Sequence, residues 1–277
     1  LDAFMVSKAN QHTEIGSDYY NGGMLRPDIG GLHPAQFHRG MVERTLAAGA
    51  KIHSHTPICG IRRNGSGHQV ITNKGAVSTH DVIVCTNGYT DASIPWLRRR
   101  LVPVASQIIV TEKLEPRVMD QLMPKGRMVS ESRHMGHYYR PSPDNTRVIF
   151  GGRTYGNHQP DKPLPHQHLY QNLIQLFPIL EGISISHVWW GFVAFPMQQI
   201  PHLVERDGVH YATGFCGSGV VWARWFGMKA AYRVLGFEAG DSAFANRVFR
   251  AIPFYNGHPW FLPAVQCWFS IRDKLGL

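Results

Sequence analysis

The sequence predicts a mixed α/β fold in which a parallel-sheet domain is interleaved along the chain with an antiparallel-sheet domain. The first indication is the succession of a strand, a glycine turn and a helix within 209–236. The second is the apolar run at 81–88, which is typical of a strand buried on both faces of a parallel sheet. The third is a run of short strands and turns in the middle of the chain, which favours an antiparallel sheet. The expected boundaries are 27–104 with 200–240 for the first domain, 1–26 with 105–199 for the second, and 241–277 for an aromatic-rich C-terminal extension.

The first half of the chain predicts one helix and several short strands. Strand-like aromatics surround a Gly-Gly break at 18–26. Pro34 suits a first helical turn, and apolar residues three and four apart then predict a helix that ends at Gly49. Asn-Gly and Asn-Lys-Gly turns separate the hairpin strands, and the last strand ends in a Thr-Asn-Gly turn. The strands expected after the helix are 51–56, 59–63, 69–72, 76–79 and 81–88.

The second half of the chain predicts an antiparallel block followed by a strand–turn–helix unit. Two strands flank the turn at 141–145, and a helix is expected at 164–180. After the final strand, three glycines precede a helix over 220–235 that is rich in small and apolar residues. The strands expected in this half are 106–111, 137–140, 147–152, 185–195 and 210–213.

The glycine turn formed by Gly214, Gly217 and Gly219 is the strongest candidate binding feature in the sequence. Glycines between a strand and a helix let a ligand approach the backbone closely. The first N–H groups of the helix lack intrahelical acceptors, and with the helix dipole they favour an electronegative ligand atom. The alternative is an ordinary tight turn of an α/β domain. A serine hydrolase is disfavoured because Cys216 and Val220 occupy the two positions where a nucleophile elbow around a serine needs glycine.

The composition describes a globular protein with an excess of positive charge. The 277 residues are 43% hydrophobic and 17% charged, and 28 basic minus 19 acidic residues give a net charge of +9. The basic residues are scattered, and the densest run, Arg98–Arg100, is too short for a nucleic-acid surface. No nucleic-acid partner is therefore expected, and the charge is instead suited to anionic substrates or cofactor phosphates.

Cysteine and histidine spacing predicts neither a metal site nor a disulfide framework. The four cysteines are far apart and form no CxxC, and the histidine pairs lack a third ligand at a typical spacing. With no signal peptide visible, a cytoplasmic location is expected. The uncharged part of the C-terminal extension contains three prolines, so no transmembrane segment is expected there. Its aromatic residues are predicted to pack on the body of the protein, with membrane-surface contact as the alternative.

Five segments of the sequence, in this order, resemble one enzyme family. They are HPAQFHRGMVERTLAAGAKI, DVIVCTNGYT, YYRPSPDNTRVIFGGR, WWGFVAFPMQQIPH and GVHYATGFCGSGV. Together they resemble the FAD-dependent oxidoreductases of the D-amino-acid-oxidase type, most closely the gamma-glutamylputrescine oxidase and glycine or sarcosine oxidase branch. The resemblance extends from about Asp18 to Gly236. It implies that the parallel-sheet domain is a Rossmann-like FAD-binding domain and that the antiparallel sheet binds the substrate.

One part of the family pattern has no counterpart in this sequence. The family opens with a strand, a GxGxxG turn and a helix that hold the FAD pyrophosphate, and no GxGxxG occurs here. The N-terminal part of the dinucleotide fold, about a hundred residues, is therefore expected to be missing upstream of Leu1. The alternative to an enzyme is a non-catalytic fragment, or a subunit of a split flavoprotein whose partner chain carries the GxGxxG half.

The resemblance implies that FAD is the cofactor and that three stretches contact it. The first lies on the adenine side, the second ends the apolar strand beside the dinucleotide, and the third approaches the isoalloxazine ring from the helix start. A simple turn is the alternative for the second stretch. The implied cofactor-binding residues are Pro57, Ile58, Thr86, Asn87, Gly88, Gly214, Gly217, Ser218, Gly219 and Val220.

The resemblance also implies substrate-binding residues on the middle sheet. Strand alternation puts Tyr138 and Arg140 on one face, and an arginine there could hold a carboxylate by two parallel hydrogen bonds. Arg153 is an alternative anchor, and Trp190 and His202 are further pocket candidates. A structural role is the alternative for each of these residues.

The implied reaction is oxidation of the C–N bond of an amine or amino acid. The amine carbon gives a hydride to the flavin, the imine is hydrolysed, and electrons pass to dioxygen or another acceptor. No catalytic side chain is assigned, because this chemistry does not require a protein base. The identity of the amine, covalent attachment of FAD and the oligomeric state are left open.

Overall fold

The structure, a computed structural model, describes residues 2–154 and 162–276. Its strands, in chain order, are β1 Phe4–Ser7, β2 Gly22–Leu25, β3 Ile58–Asn64, β4 Gly67–Thr72, β5 Gly75–Thr79, β6 Val82–Val84, β7 Val102–Thr111, β8 Val129–Ser130, β9 Tyr138–Pro141, β10 Val148–Arg153, β11 Ile185–Phe195, β12 His202–Arg206 and β13 Val209–Thr213. Its α-helices are α1 Pro34–Ala47, α2 Pro95–Arg98, α3 Pro116–Leu122, α4 Gln167–Leu176, α5 Gly219–Val234 and α6 Leu262–Leu275.

The chain forms two compact units, each built from separate stretches of sequence. The first unit comprises Leu1–His38, Ala105–Gly191 and Phe261–Leu277. The second comprises Arg39–Val104 and Phe192–Trp260. The assignment of a substrate to one domain and a cofactor to the other stays a prediction.

The first unit contains a five-stranded sheet in the order β11-β7-β10-β9-β8. β10 pairs antiparallel with both β7 and β9, and β8 pairs antiparallel with β9, so the predicted antiparallel sheet is confirmed. One face of the sheet carries the core of the unit. Phe150 and Tyr139 lie opposite each other on β10 and β9, and both are buried with Leu173 of α4 and Phe177.

The second unit contains two three-stranded sheets. β3, β4 and β5 form an antiparallel meander, as the two glycine-containing turns predict. The other sheet has the order β12-β13-β6, and β6 runs parallel to β13 with Val84 opposite Tyr211. α5 follows β13 and buries Phe226 and Ala230 against this sheet's Leu203 and Ala212.

Two strand predictions in the second unit are wrong. Residues 51–56 form no strand; most of them are exposed, and His55 has a left-handed φ of 52° that breaks an extended run. β6 has the predicted parallel direction, but it is an edge strand rather than one buried on both faces. Ile83 is 40% exposed, so the face of β6 that carries it is not buried in the described part of the chain.

Two further predictions in the first unit and the C-terminal extension need correction. The helix expected at 164–180 is shorter, because α4 ends at Leu176 and a 3₁₀ turn begins at Pro178. The extension contains a helix that was not predicted, α6, with Pro263 in its first turn. The aromatic residues of the extension are only partly packed, since Tyr255 is buried while Phe254 and Trp260 are exposed.

No helix in the described part of the chain combines the length and apolar character needed to cross a bilayer. Within residues 2–154 and 162–276, no three histidine, cysteine or acidic side chains come together in a way that could hold a metal ion.

A buried carboxylate, Glu131, organises the loop that precedes β9. Its side chain is 3% exposed and accepts hydrogen bonds from the Tyr20 phenol at 2.6 Å, from Arg133, and from the His137 backbone N–H at 2.8 Å. The backbone N–H of Glu131 donates to the carbonyl of His137 at 2.9 Å, which closes the loop. Burial by itself raises the pKa of this carboxyl, but the hydrogen bonds from His137, Tyr20 and Arg133 outweigh burial and lower the pKa from 4.5 to about 2.

We expect Glu131→Gln to destabilise the protein at neutral pH by roughly 2–3 kcal/mol, because the lowered pKa means that folding favours the charged form. This contribution is fully present above the unfolded-state pKa of 4.5 and is lost as the pH falls towards about 2. Urea unfolding at a series of pH values checks this, with the exposed Glu181→Gln as control, for which a change within about 0.5 kcal/mol is expected. A difference between wild type and Glu131→Gln that is the same at pH 7 and pH 3 would contradict it.

Candidate active site

The carboxyl ends of the parallel strands β6 and β13 bring two turns together. Asn87 follows β6, and its side-chain carbonyl oxygen accepts hydrogen bonds from the Gly214 backbone N–H at 3.0 Å and the Thr213 hydroxyl at 3.2 Å. Asn87 itself has a left-handed φ of 44°, a conformation that asparagine tolerates better than most residues. One side chain therefore ties the turn after β6 to the start of the glycine turn after β13.

Gly88 lies where the chain passes close to another backbone segment. A Cβ at this position would be 2.7 Å from the carbonyl oxygen of Phe192, so no larger residue fits without movement. The next residue, Tyr89, packs edge-on against the Phe192 ring at 5.6 Å, and its phenol oxygen accepts a hydrogen bond from the Phe192 N–H at 3.3 Å. Thr86 hydrogen-bonds Thr90 through their hydroxyls at 2.8 Å. The turn is thus held in place by the contacts of Gly88 and Tyr89 with Phe192 and by the hydrogen bond between Thr86 and Thr90.

The glycine turn leaves the start of α5 open. Gly214 and Gly217 have φ values of 78° and 96°, which only glycine adopts readily, and a Cβ on Gly217 would meet no atom within 4 Å. Ser218, at the N-cap, makes no side-chain capping bond, and Gly217, Ser218 and Val220 are exposed. The first N–H groups of a 16-residue helix therefore face accessible space beside Gly219. This arrangement fits a planar ligand edge that carries negative charge.

The other predicted cofactor contacts, Pro57 and Ile58, lie at the start of β3, which belongs to a different sheet. Ile58 begins β3 opposite Thr72, and the carbonyl of Pro57 accepts a hydrogen bond from Asn73 at 3.4 Å. The hydrogen bonds of Asn87 join the turn after β6 to the glycine turn after β13, and they do not involve Pro57 or Ile58. A role for Pro57 and Ile58 in binding stays a prediction.

Tyr138 lies on the face of β9 opposite the core. Tyr139 is buried in the core, whereas the Tyr138 ring crosses β10 above Gly151 and its phenol reaches the Ser106 hydroxyl on β7 at 2.5 Å. A Cβ on Gly151 would overlap the Tyr138 ring. Burial raises the pKa of the Tyr138 phenol, and the Ser106 hydrogen bond and the positive charge of Arg153 oppose this shift. The phenol is therefore protonated at neutral pH.

Each of the other three candidates on the first unit donates a hydrogen bond to a backbone carbonyl. The guanidinium of Arg140 donates to Leu32 at 2.9 Å, and that of Arg153 donates to His134 at 2.8 Å. The indole N–H of Trp190 donates to the carbonyl of Lys162 at 3.0 Å. These bonds use part of the donor capacity of each arginine, which has five N–H donors in all.

His202 lies in the core of the second unit. Its side chain is fully buried, its ring stacks on Phe249 at 4.2 Å, and its Nδ1 lies 2.8 Å from the carbonyl oxygen of Ile200. Burial lowers the pKa of His202, so the ring is neutral at pH 7. A role for His202 in a substrate pocket stays a prediction.

Sequence reasoning missed Ser106 and Glu131. Ser106 is one of many strand serines, and its importance depends on a register in which Tyr138 lies opposite Gly151. A tyrosine facing a Gly-Gly pair on the next strand was the available signal. Glu131 directly follows β8, which has only two residues, and the sequence around it shows no hydrophobic pattern that would have marked it.

Comparison with known proteins gives the family of the chain. A model of the DAO family, described as FAD dependent oxidoreductase, matches residues 2–233. The chain belongs to this family. The FAD cofactor that the five sequence segments imply is therefore confirmed as the cofactor of the family, and the mixed α/β fold agrees with it.

Two curated relatives of this DAO-family chain cover most of its length. Gamma-glutamylputrescine oxidoreductase of Escherichia coli is 29% identical over 95% of the chain, and the probable oxidoreductase OrdL of Haemophilus influenzae is 30% identical over 86%. The chain spans 62% and 54% of the lengths of these two relatives.

Solved structures share the fold. Glycine oxidase from Geobacillus kaustophilus superposes with a TM-score of 0.72 at 19% identity, covering 91% of this chain and 67% of that one. L-proline dehydrogenase from P. horikoshii superposes with a TM-score of 0.69 at 18% identity, covering 87% of this chain and 66% of that one.

We expect Asn87→Ala to lower the free energy of unfolding by about 1–3 kcal/mol, because it leaves two donors without their acceptor and places alanine at a positive φ. Asn87→Gly removes the same acceptor but relieves the backbone, so it should cost less than Asn87→Ala. Denaturant unfolding of the two variants separates the two effects. Equal losses in both variants would show that the backbone conformation contributes nothing.

Proposed function

We propose that this chain forms part of an oxidoreductase that uses FAD to oxidise the C–N bond of a small amine or amino acid. The single observation that carries the proposal is the exposed N-terminus of α5 beyond a glycine turn, in a chain matched over 2–233 by an FAD-dependent family. An open helix start satisfies the electrostatic need of a flavin, whose reduced form carries negative charge at one edge.

The residues that would hold the cofactor are those of the two joined turns. The backbone N–H groups of Gly219 and Val220 would donate to the electronegative edge of the flavin, and the open space over Gly217 would admit its ring. Asn87 would act indirectly by keeping Gly214, and so the start of the turn, in place. When bound, FAD would supply the hydride acceptor of the reaction, with dioxygen or another acceptor as the final oxidant.

The residues that would bind the substrate are on the open face of the antiparallel sheet. Arg140 would pair with a substrate carboxylate, and the protonated phenol of Tyr138 would donate or accept a hydrogen bond at the same face. Arg153 lies close enough to Tyr138 to influence its pKa, and it is the alternative anchor. Trp190 would contribute an apolar wall. The names of the relatives, which include gamma-glutamylputrescine, glycine and L-proline, support a small amine or amino acid as substrate.

We expect the protein purified from its own host to retain flavin absorbance bands through desalting. Anaerobic addition of an amine substrate should bleach these bands, and peroxide should form when dioxygen is admitted if dioxygen is the acceptor. A colourless protein that does not take up added FAD would contradict the proposal. It would favour instead the non-catalytic alternative, or the alternative in which a partner chain completes the site.

We expect Arg140→Ala to raise the KM for carboxylate-bearing amines at least tenfold, because a charge-assisted pair is lost, while kcat changes little. The KM for amines without a carboxylate should change far less. Arg117→Ala, which removes an exposed arginine of α3 in the same unit, is the matched control. An unchanged KM for carboxylate-bearing amines in Arg140→Ala would exclude Arg140 as the carboxylate anchor.

A further inference from the structure

The inner side of helix α6 includes polar residues as well as apolar ones. Its polar residues Gln266 and Asp273 face the first unit. Gln266 is 2% exposed and donates to the carbonyl of Thr154 at 2.8 Å. The two carboxylate oxygens of Asp273 accept hydrogen bonds from the backbone N–H groups of His134 at 2.8 Å and Met135 at 2.7 Å.

The opposite side of α6 presents apolar residues to solvent. Four of them recur at spacings of three and four, which places them on one side of the helix. Trp268 is 60% exposed and Leu275 is 67% exposed, and the other two are also exposed. We call this set the outer face of α6; it consists of Val265, Trp268, Ile271 and Leu275.

The helix is fixed in this orientation by contacts on its inner side. Phe269 stacks in parallel on the His134 ring at 4.7 Å, next to the hydrogen bonds of Asp273. Rotation of the helix that hid Trp268 would break the bonds of Gln266 and Asp273 and leave these polar groups without their partners. The hydrogen bonds of Gln266 and Asp273 therefore fix the helix in an orientation in which its outer face points to solvent.

The charges on α6 favour an anionic surface as the covering partner. The charged residues of the helix are Arg272, Asp273 and Lys274. Asp273 is turned to the backbone N–H groups of the first unit, so Arg272 and Lys274 are the charges that flank the outer face. Tryptophan beside leucine and isoleucine with flanking basic residues is typical of helices that lie in a lipid interface. The net charge of +9 acts in the same direction.

A second copy of the chain is a poorer match for the outer face. In a two-fold symmetric pair the same patch meets itself, which brings Arg272 and Lys274 of both copies into one interface. Asp273 cannot neutralise them without leaving its backbone partners. Anionic lipid headgroups provide the opposite charge without that cost.

We propose that the outer face of α6 docks on the surface of an anionic lipid bilayer, with the helix lying along the interface. Val265, Trp268, Ile271 and Leu275 enter the headgroup region, and Arg272 and Lys274 contact the lipid phosphates. Within the described residues no helix crosses a membrane, and this contact requires none.

The test is co-sedimentation of the full protein with phosphatidylglycerol–phosphatidylcholine vesicles and with phosphatidylcholine vesicles alone. The protein should bind the anionic vesicles, and binding should weaken as salt rises. The double variant Trp268→Ser with Leu275→Ser should bind at least tenfold less. Arg272→Gln with Lys274→Gln should lose the preference for anionic vesicles. Met5→Ser, at an apolar residue of the first unit that is more exposed than Trp268 or Leu275, should bind like wild type.

Three results would overturn the proposal. Wild-type protein that stays in the supernatant with anionic vesicles would do so directly. Self-association in sedimentation velocity that disappears in the Trp268/Leu275 variant would mean that a second copy covers the face. The third result combines two measurements. If the Trp268/Leu275 variant melts at a lower temperature while Arg272→Gln/Lys274→Gln still binds anionic vesicles like wild type, the outer face packs within the protein.

Discussion

The hydrogen bonds of the Asn87 side chain are the interaction on which the candidate site depends. In a parallel pair, both strands end at the same edge, so the residues that follow them must share a small space. Asn87 resolves this by accepting hydrogen bonds from Thr213 and Gly214, the last residue of one strand and the first of the glycine turn. The open N-terminus of α5 follows a few residues later, at Gly219.

In the first unit, a buried carboxylate rather than an asparagine side chain holds the backbone near the candidate residues. The loop before β9 has no regular pairing, and the buried carboxylate of Glu131 supplies the acceptors that this loop needs. β9 then starts at a fixed point, which places Tyr139 in the core and Tyr138 on the open face. The orientation of Tyr138 therefore depends on a neighbouring charge that would be costly to bury without its hydrogen bonds.

The sequence was sufficient where local patterns decide structure. β11 has the predicted bounds, and α5 begins within one residue of its predicted start, because continuous apolar runs and a glycine turn are local signals. The prediction of a strand at 51–56 is wrong because a strand needs a partner strand, which the local sequence does not reveal. The site divides in the same way. The glycine turn was predicted from residue type, whereas the contact between Ser106 and Tyr138 depends on cross-strand register and was not.

Helix α6 shows a second limit of sequence patterns. Its apolar spacing identifies one side of a helix, but it does not state whether that side faces the protein. The direction is decided by whether polar residues find partners. Gln266 and Asp273 find backbone groups as partners, and hydrogen bonds to such groups offset the cost of burying an amide and a carboxylate. Two polar residues are then inside together with the buried Leu262, and an apolar side remains for another surface. Hydrophobic periodicity therefore predicts that a helix has two sides, and only the inventory of backbone donors and acceptors predicts which of them is turned inward.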